Sequence, residues 1–170
     1  MWIIMIILVF VFTIGLTIGG LLAAPREPVK PLHLFLFSLF FLFLCYMGMI
    51  TGMFISGWMA IRVIEIVLAI LAILFIVACF SRYHPTLGFF HPEDRVLLSV
   101  LGLMFFFMGI EWGLLEFRTF FTIVSGILFT VALALGLYMQ VQIQHALRRH
   151  SYSAFTPLVW LLFVSVLKLL

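Results

Sequence analysis

The chain has 170 residues, of which 66% are hydrophobic and only 9% charged, where a soluble domain carries roughly a quarter charged residues. With a mean hydropathy of +1.38 it lacks the polar groups to cover a water-soluble globule. Its net charge of +3 comes from basic residues placed singly or in pairs, with no run to track a phosphate backbone, which excludes nucleic acid as a partner and leaves membrane lipid.

A helix rising about 1.5 Å per residue needs about 20 apolar residues to cross a hydrocarbon core of about 30 Å. Read in chain order, residues 2–24 form one uninterrupted span. The run opens at Met1-Trp2-Ile3-Ile4 with no positively charged leader, so it is expected to be retained rather than cleaved. PREPVKP (25–31) ends it with three prolines.

The next apolar stretch is twice the length of one span and must fold back. The turn is expected at Gly52–Gly57, giving spans 32–52 and 57–80. SRYHPTLGFFHPEDR (81–95) is the longest polar segment; spans 96–116 and 118–140 follow. Helical character in the fifth is expected to continue through Gln140, Gln142, Gln144, His145, Arg148 and Arg149 as a stub outside the lipid. The last segment, 155–170, opens at Thr156-Pro157 and is short, so it spans only if the bilayer thins or Lys168 snorkels outward, and is otherwise a re-entrant or interfacial helix. The fold class read from this is all-α: a polytopic integral membrane bundle of about six transmembrane helices with short loops, one domain over 1–170.

Lys and Arg concentrate in the loops 25–31, 81–95 and 144–153, which assigns these to the cytoplasmic side of a plasma (inner) membrane. The aromatic-belt rule agrees: Trp2, Trp58 and Trp112 fall at the outer interface and Tyr83, Tyr138 and Tyr152 at the inner one. Gly15/Gly19, Gly48/Gly52 and Gly109/Gly113, with Ala132/Gly136, are small-xxx-small pairs that let helix backbones approach, either within the bundle or against transmembrane helices of a partner. Two three-span halves would have opposite topology, as in inverted-repeat transporters, but no residue-level repeat is evident.

Arg62, Glu65 and Glu111 are the charges the span assignments place in the hydrocarbon, at a cost of at least about 2.5–3.5 kcal/mol each for fixed charges at the centre. Arg62 and Glu65 share one helix face, and Glu111 falls at similar depth, so one guanidinium is expected to hold both carboxylates. The arrangement reads as a proton, cation or ligand site, or as a structural clamp. Among the histidines, His84, His91 and His145 on the cytoplasmic side are weaker candidates for a metal or acid–base site with Glu93 and Asp94. No metal site is assigned. No two histidines face each other at mid-span to hold a haem, and no cofactor is implied. Tyr46, Thr51, Ser125 and Thr130 are read as helix-to-helix hydrogen bonders, and Cys45 and Cys79 as apolar packers at depths that forbid a disulfide.

GxSxG, HExxH and P-loop patterns are absent, so no catalytic residue is assigned. The leading functional expectation is a non-catalytic subunit, assembly or regulatory component of a membrane complex. A small transporter or channel using the Arg/Glu cluster is the alternative, and an embedded enzyme or cofactor carrier using the histidine loop stands third.

Overall fold

The structure is a computed structural model, and it describes residues 2–23, 31–55, 58–82, 89, 95–117, 119–146 and 155–169. Six helices appear among them: α1 (Trp2–Leu22), α2 (Pro31–Met53), α3 (Trp58–Arg82), α4 (Arg95–Leu114), α5 (Thr119–Ala146) and α6 (Thr156–Leu169). Five are long and apolar enough to cross a membrane, while α6 has 14 residues. The protein is an all-helical membrane bundle.

α4 ends in a Schellman cap, with Phe117 N–H donating to the Trp112 carbonyl at 3.0 Å and Glu116 N–H to that of Gly113 at 3.1 Å. Glu116 occupies the left-handed position at φ 57°, where glycine is usual. The cap turns the chain within a few residues into α5.

Packing does not follow chain order. Each helix packs extensively against two others, in the closed ring α1–α5–α2–α4–α3–α6. Only α3 and α4 are neighbours in both sequence and space. The interior is filled by buried side chains from all six helices, among them Phe10, Phe41, Phe75, Phe105, Phe129, Trp112 and Leu161. Phe41 stacks flat on Phe129 at 4.1 Å and meets Phe105 edge-on at 5.0 Å.

The two most extensive contacts, α1 with α5 and α2 with α4, are parallel and made the same way. A Cβ on Gly15 would meet the Phe129 carbonyl, on Gly19 that of Leu133, and on Gly136 that of Leu16. In the other pair a Cβ on Gly109 would meet the Cys45 carbonyl, on Gly113 that of Met49, and on Gly52 that of Ile110. Adding 94 to each α1 residue and subtracting 84 from each α5 residue converts the first set into the second. All of these contacts lie within the chain.

Exchanging α1 with α4, α2 with α5 and α3 with α6 leaves the ring unchanged. The two self-related contacts are antiparallel: α2 meets α5 through Phe41–Phe129 and Met49–Thr122, and α3 meets α6 through Phe80–Phe155. The molecule is therefore two three-helix halves of opposite direction, related by an approximate two-fold axis that passes between α2 and α5 and between α3 and α6. The halves alternate around the ring, so every helix is flanked by two helices of the other half.

One end of the bundle, the near face, collects the starts of α1, α3 and α5. The far face collects their ends, where the Gln144 amide donates to the Ala23 carbonyl at 3.1 Å and Phe80 stacks on Phe155 at 4.7 Å. α5 is helical through Ala146; Gln142 is exposed, but Gln140 is buried and Gln144 half-buried, so one side of this polar extension packs on the bundle end.

An ion pair inside the bundle: the candidate functional site

Glu111 lies near the end of α4, two residues after Gly109 and so on the side of the helix away from the glycine face that packs on α2. That side is covered too, and the Glu111 side chain keeps 2% of its surface exposed. Its ion partner is Lys168, at 2.5 Å, itself 5% exposed. The sequence leads one to expect Glu111 within reach of the Arg62 guanidinium and offers outward snorkelling as one option for Lys168; the structure instead pairs the two buried groups with each other. α6 lies between α1 and α3, so the residue ending its last turn faces the bundle interior, where the only compensating charge for a buried ammonium is a carboxylate.

The ammonium also lies over the face of Phe10 on α1, 4.5 Å from the ring centroid. Three helices thus build the site: α4 supplies the carboxylate, α1 the aromatic face and α6 the cation. Arg62 and Glu65 do pair, at 3.2 Å within α3, with Arg62 70% and Glu65 20% exposed. Glu65 is thus the less exposed member of its pair, while Arg62 reaches outward.

The same position serves the other half differently. The counterpart of Glu111 is Thr17 on α1, whose hydroxyl lies 3.2 Å from the Pro157 carbonyl in the first turn of α6. α6 is thereby held at both ends by two-fold-related residues: by a neutral hydroxyl contact at the far face and by an ion pair at the near face.

Trp112 departs from the expected interface position. It is fully buried, edge-on to Phe41 at 6.2 Å and to Phe121 at 5.3 Å, because its neighbour Glu111 and the Schellman cap fix this turn inside the ring. Its indole Nε1 and the Ser125 hydroxyl are buried with no hydrogen-bond partner among the described residues. Of the polar residues read as cross-helix bonders, Thr130 meets Ser38 of α2 at 3.0 Å, Thr51 bonds back to Met47 at 3.0 Å, and Tyr46 is exposed. Removing an unpartnered hydroxyl loses no bond, so Ser125→Ala is expected to leave the thermal unfolding midpoint unchanged or raise it slightly. A fall of more than about 1 kcal/mol would mean that Ser125 holds a bound polar group.

His84 and His91 fall outside the described residues, and of His145 only its place on α5 is described. Among the described residues no three His, Cys, Asp or Glu side chains converge on a common point. Cys45 and Cys79 are free buried thiols, Cys45 donating to the Phe105 carbonyl at 3.3 Å. No family model, curated protein or solved structure matches the chain.

Proposed function

We propose that this protein is a small secondary transporter working by alternating access, with Glu111 and Lys168 in its site. The observation that carries this reading is the two-fold relation between oppositely directed three-helix halves. A fold that contains its own inverted image has two related conformations, one open to each face, and transporters built on such repeats hold substrate at the interface between them. A buried ion pair in hydrocarbon is otherwise an unfavourable feature, and such groups mark pathways and sites more often than stability.

The packing also suggests which parts move. Glycine contacts knit α1 to α5 and α2 to α4, and these pairs join through α2 and α5 into a four-helix scaffold. α3 and α6, two-fold mates packed against its side, are the candidates for movement. Spin labels on Met53 and Leu167 report the near-face opening, and labels on Val77 and Tyr138 the far-face one; all four positions are exposed. The expected result is two distance populations at each face, with the near-face pair lengthening as the far-face pair shortens when Lys168→Met breaks the ion pair. One unchanging distance at both faces would refute alternating access.

A second reading, a subunit of a larger membrane complex, is favoured by a groove of about 500 Å³ on the lipid-facing side of α2, lined by Leu36, Phe37, Leu39, Phe40, Phe43 and Leu98. A transporter purified in mild detergent runs as a monomer or homodimer, whereas a subunit carries other proteins with it. In either reading we place the far-face loops 25–31, 81–95 and 144–153 in the cytoplasm of a plasma (inner) membrane. Cysteines introduced at positions 28, 88 and 151 that react with an impermeant reagent from outside intact cells would reverse that orientation.

A further inference from the structure

We propose that Glu111 and Phe10 form a binding site for a primary ammonium group, that Lys168 occupies it in the present state, and that the transported ligand is a small organic primary amine in its protonated form. The binding claim stands on the geometry; the claim about transport rests on the function proposed above.

The site holds an ammonium by both of the means that recognise one. A carboxylate accepts a short charge-assisted bond at 2.5 Å, and an aromatic face receives the cation at 4.5 Å. Metal ions are poorly matched to the same place. Sodium, magnesium and calcium are held by several oxygens, whereas the groups seen on the Lys168 ammonium are one carboxylate and a hydrocarbon ring. Among the described residues no cluster of three potential metal-binding side chains occurs anywhere.

Exchange follows from charge. If Lys168 withdraws, Glu111 is left uncompensated in a buried site; a proton can neutralise it, but a free ammonium restores both the charge-assisted bond and the contact over Phe10 that the lysine gave up. Such a cation approaching from the near face meets Glu65 before Glu111, because Glu65 is the more exposed of the two. Lys168 is then a tethered occupant: it closes the empty site and is displaced when a free ammonium binds.

Lys168→Ala removes three methylenes and the ammonium, a fragment that n-propylammonium restores. The test is thermal unfolding of the Lys168→Ala protein in detergent, with n-propylammonium, sodium, potassium and tetramethylammonium chlorides compared at equal ionic strength. The expected result is a lowered midpoint that rises saturably, by roughly 2–6 °C, with n-propylammonium alone. The Glu111→Gln/Lys168→Ala double variant should give no response. If Lys168→Ala folds only when prepared in n-propylammonium, that also supports the site.

Equal shifts with sodium, an undiminished shift in the double variant, or no shift with any salt would each overturn the proposal, the last meaning that a proton on Glu111 suffices. Failure to obtain folded Lys168→Ala in any of the four salts would overturn it as well. The readout involves no movement across a membrane, so it can succeed where the distance measurements fail and fail where they succeed.

Discussion

Gly19→Leu is expected to leave no folded protein, and Gly19→Ala to lower stability by about 2 kcal/mol, seen as a fall of about 4–8 °C in the unfolding midpoint of the purified protein. The reason is what a side chain would strike. A Cβ at Gly19 overlaps the backbone carbonyl of Leu133, with the Leu137 nitrogen also in contact, and backbone cannot rotate away as a side chain can. The added methyl therefore pushes α1 off α5 along the whole contact.

Because Gly113 meets Met49 and Gly52 in the corresponding way, Gly113→Ala is expected to have an effect within about 0.5 kcal/mol of Gly19→Ala. Gly102→Ala is the control. Its Cβ would touch the tip of the Phe40 ring at 3.2 Å and the end of Leu44 at 3.4 Å, which can shift, so a change within about 0.5 kcal/mol is expected. If the three alanine variants melt together, the glycine contacts are not what holds the pairs.

The second large effect is at the ion pair. Glu111→Ala strands a buried ammonium and is expected to destabilise by about 3–5 kcal/mol. Lys168→Met is expected to do less, because Glu111 relieves its stranded charge by taking a proton. Combining Glu111→Leu with Lys168→Met should recover most of the loss, since well-packed apolar residues often replace a buried pair without penalty, while function at the site disappears. Arg62→Ala, by contrast, removes a side chain that is 70% exposed, and should change stability by no more than about 1 kcal/mol. A double-mutant cycle reads the coupling directly: independent effects at 111 and 168 would mean that the two side chains do not meet.

The sequence carries much of this architecture and little of the site. Apolar length and the prolines at 25–31 place six helical segments because the bilayer imposes a single ruler on every span. Glycine spacing marks which helix faces pack closely. It does not say which helices meet, since a small residue fits any backbone brought against it. The internal two-fold relation stays hidden for a related reason. Its α1-to-α4 offset is 94 residues and its α2-to-α5 offset 84, because both the first connection and the helical turns flanking it are longer than their counterparts, so no single shift of the chain against itself aligns both helices. What survives is a few glycines, Gly15 with Gly109, Gly19 with Gly113 and Gly52 with Gly136.

Depth alone likewise put Glu111 level with Arg62, and depth was the only coordinate available. Which charge Glu111 meets depends on rotation about each helix axis and on ring order. A lysine at the end of a short helix satisfies the depth argument whether it turns out to the headgroups or in to a carboxylate. Ser125 and Trp112 misled by the same route: residue type announced a hydrogen bonder and an interface aromatic, and the ring buried both.

The alternation of halves around the ring bears on how the protein is made. During synthesis α1 and α2 enter the membrane first, yet neither touches the other; the neighbours of α1 are α5 and α6, and those of α2 are α4 and α5. The first native helix contacts become available with α4, which meets both α2 and α3, and the ring closes only when α6 arrives to join α1 with α3. The glycine face of α2 therefore lies open in lipid until α4 arrives, and that of α1 until α5 does. Biogenesis of this bundle is therefore a late and cooperative event, in which the final 14-residue helix, the least able to hold a place in the bilayer by its own length, completes the assembly by bringing its lysine to Glu111.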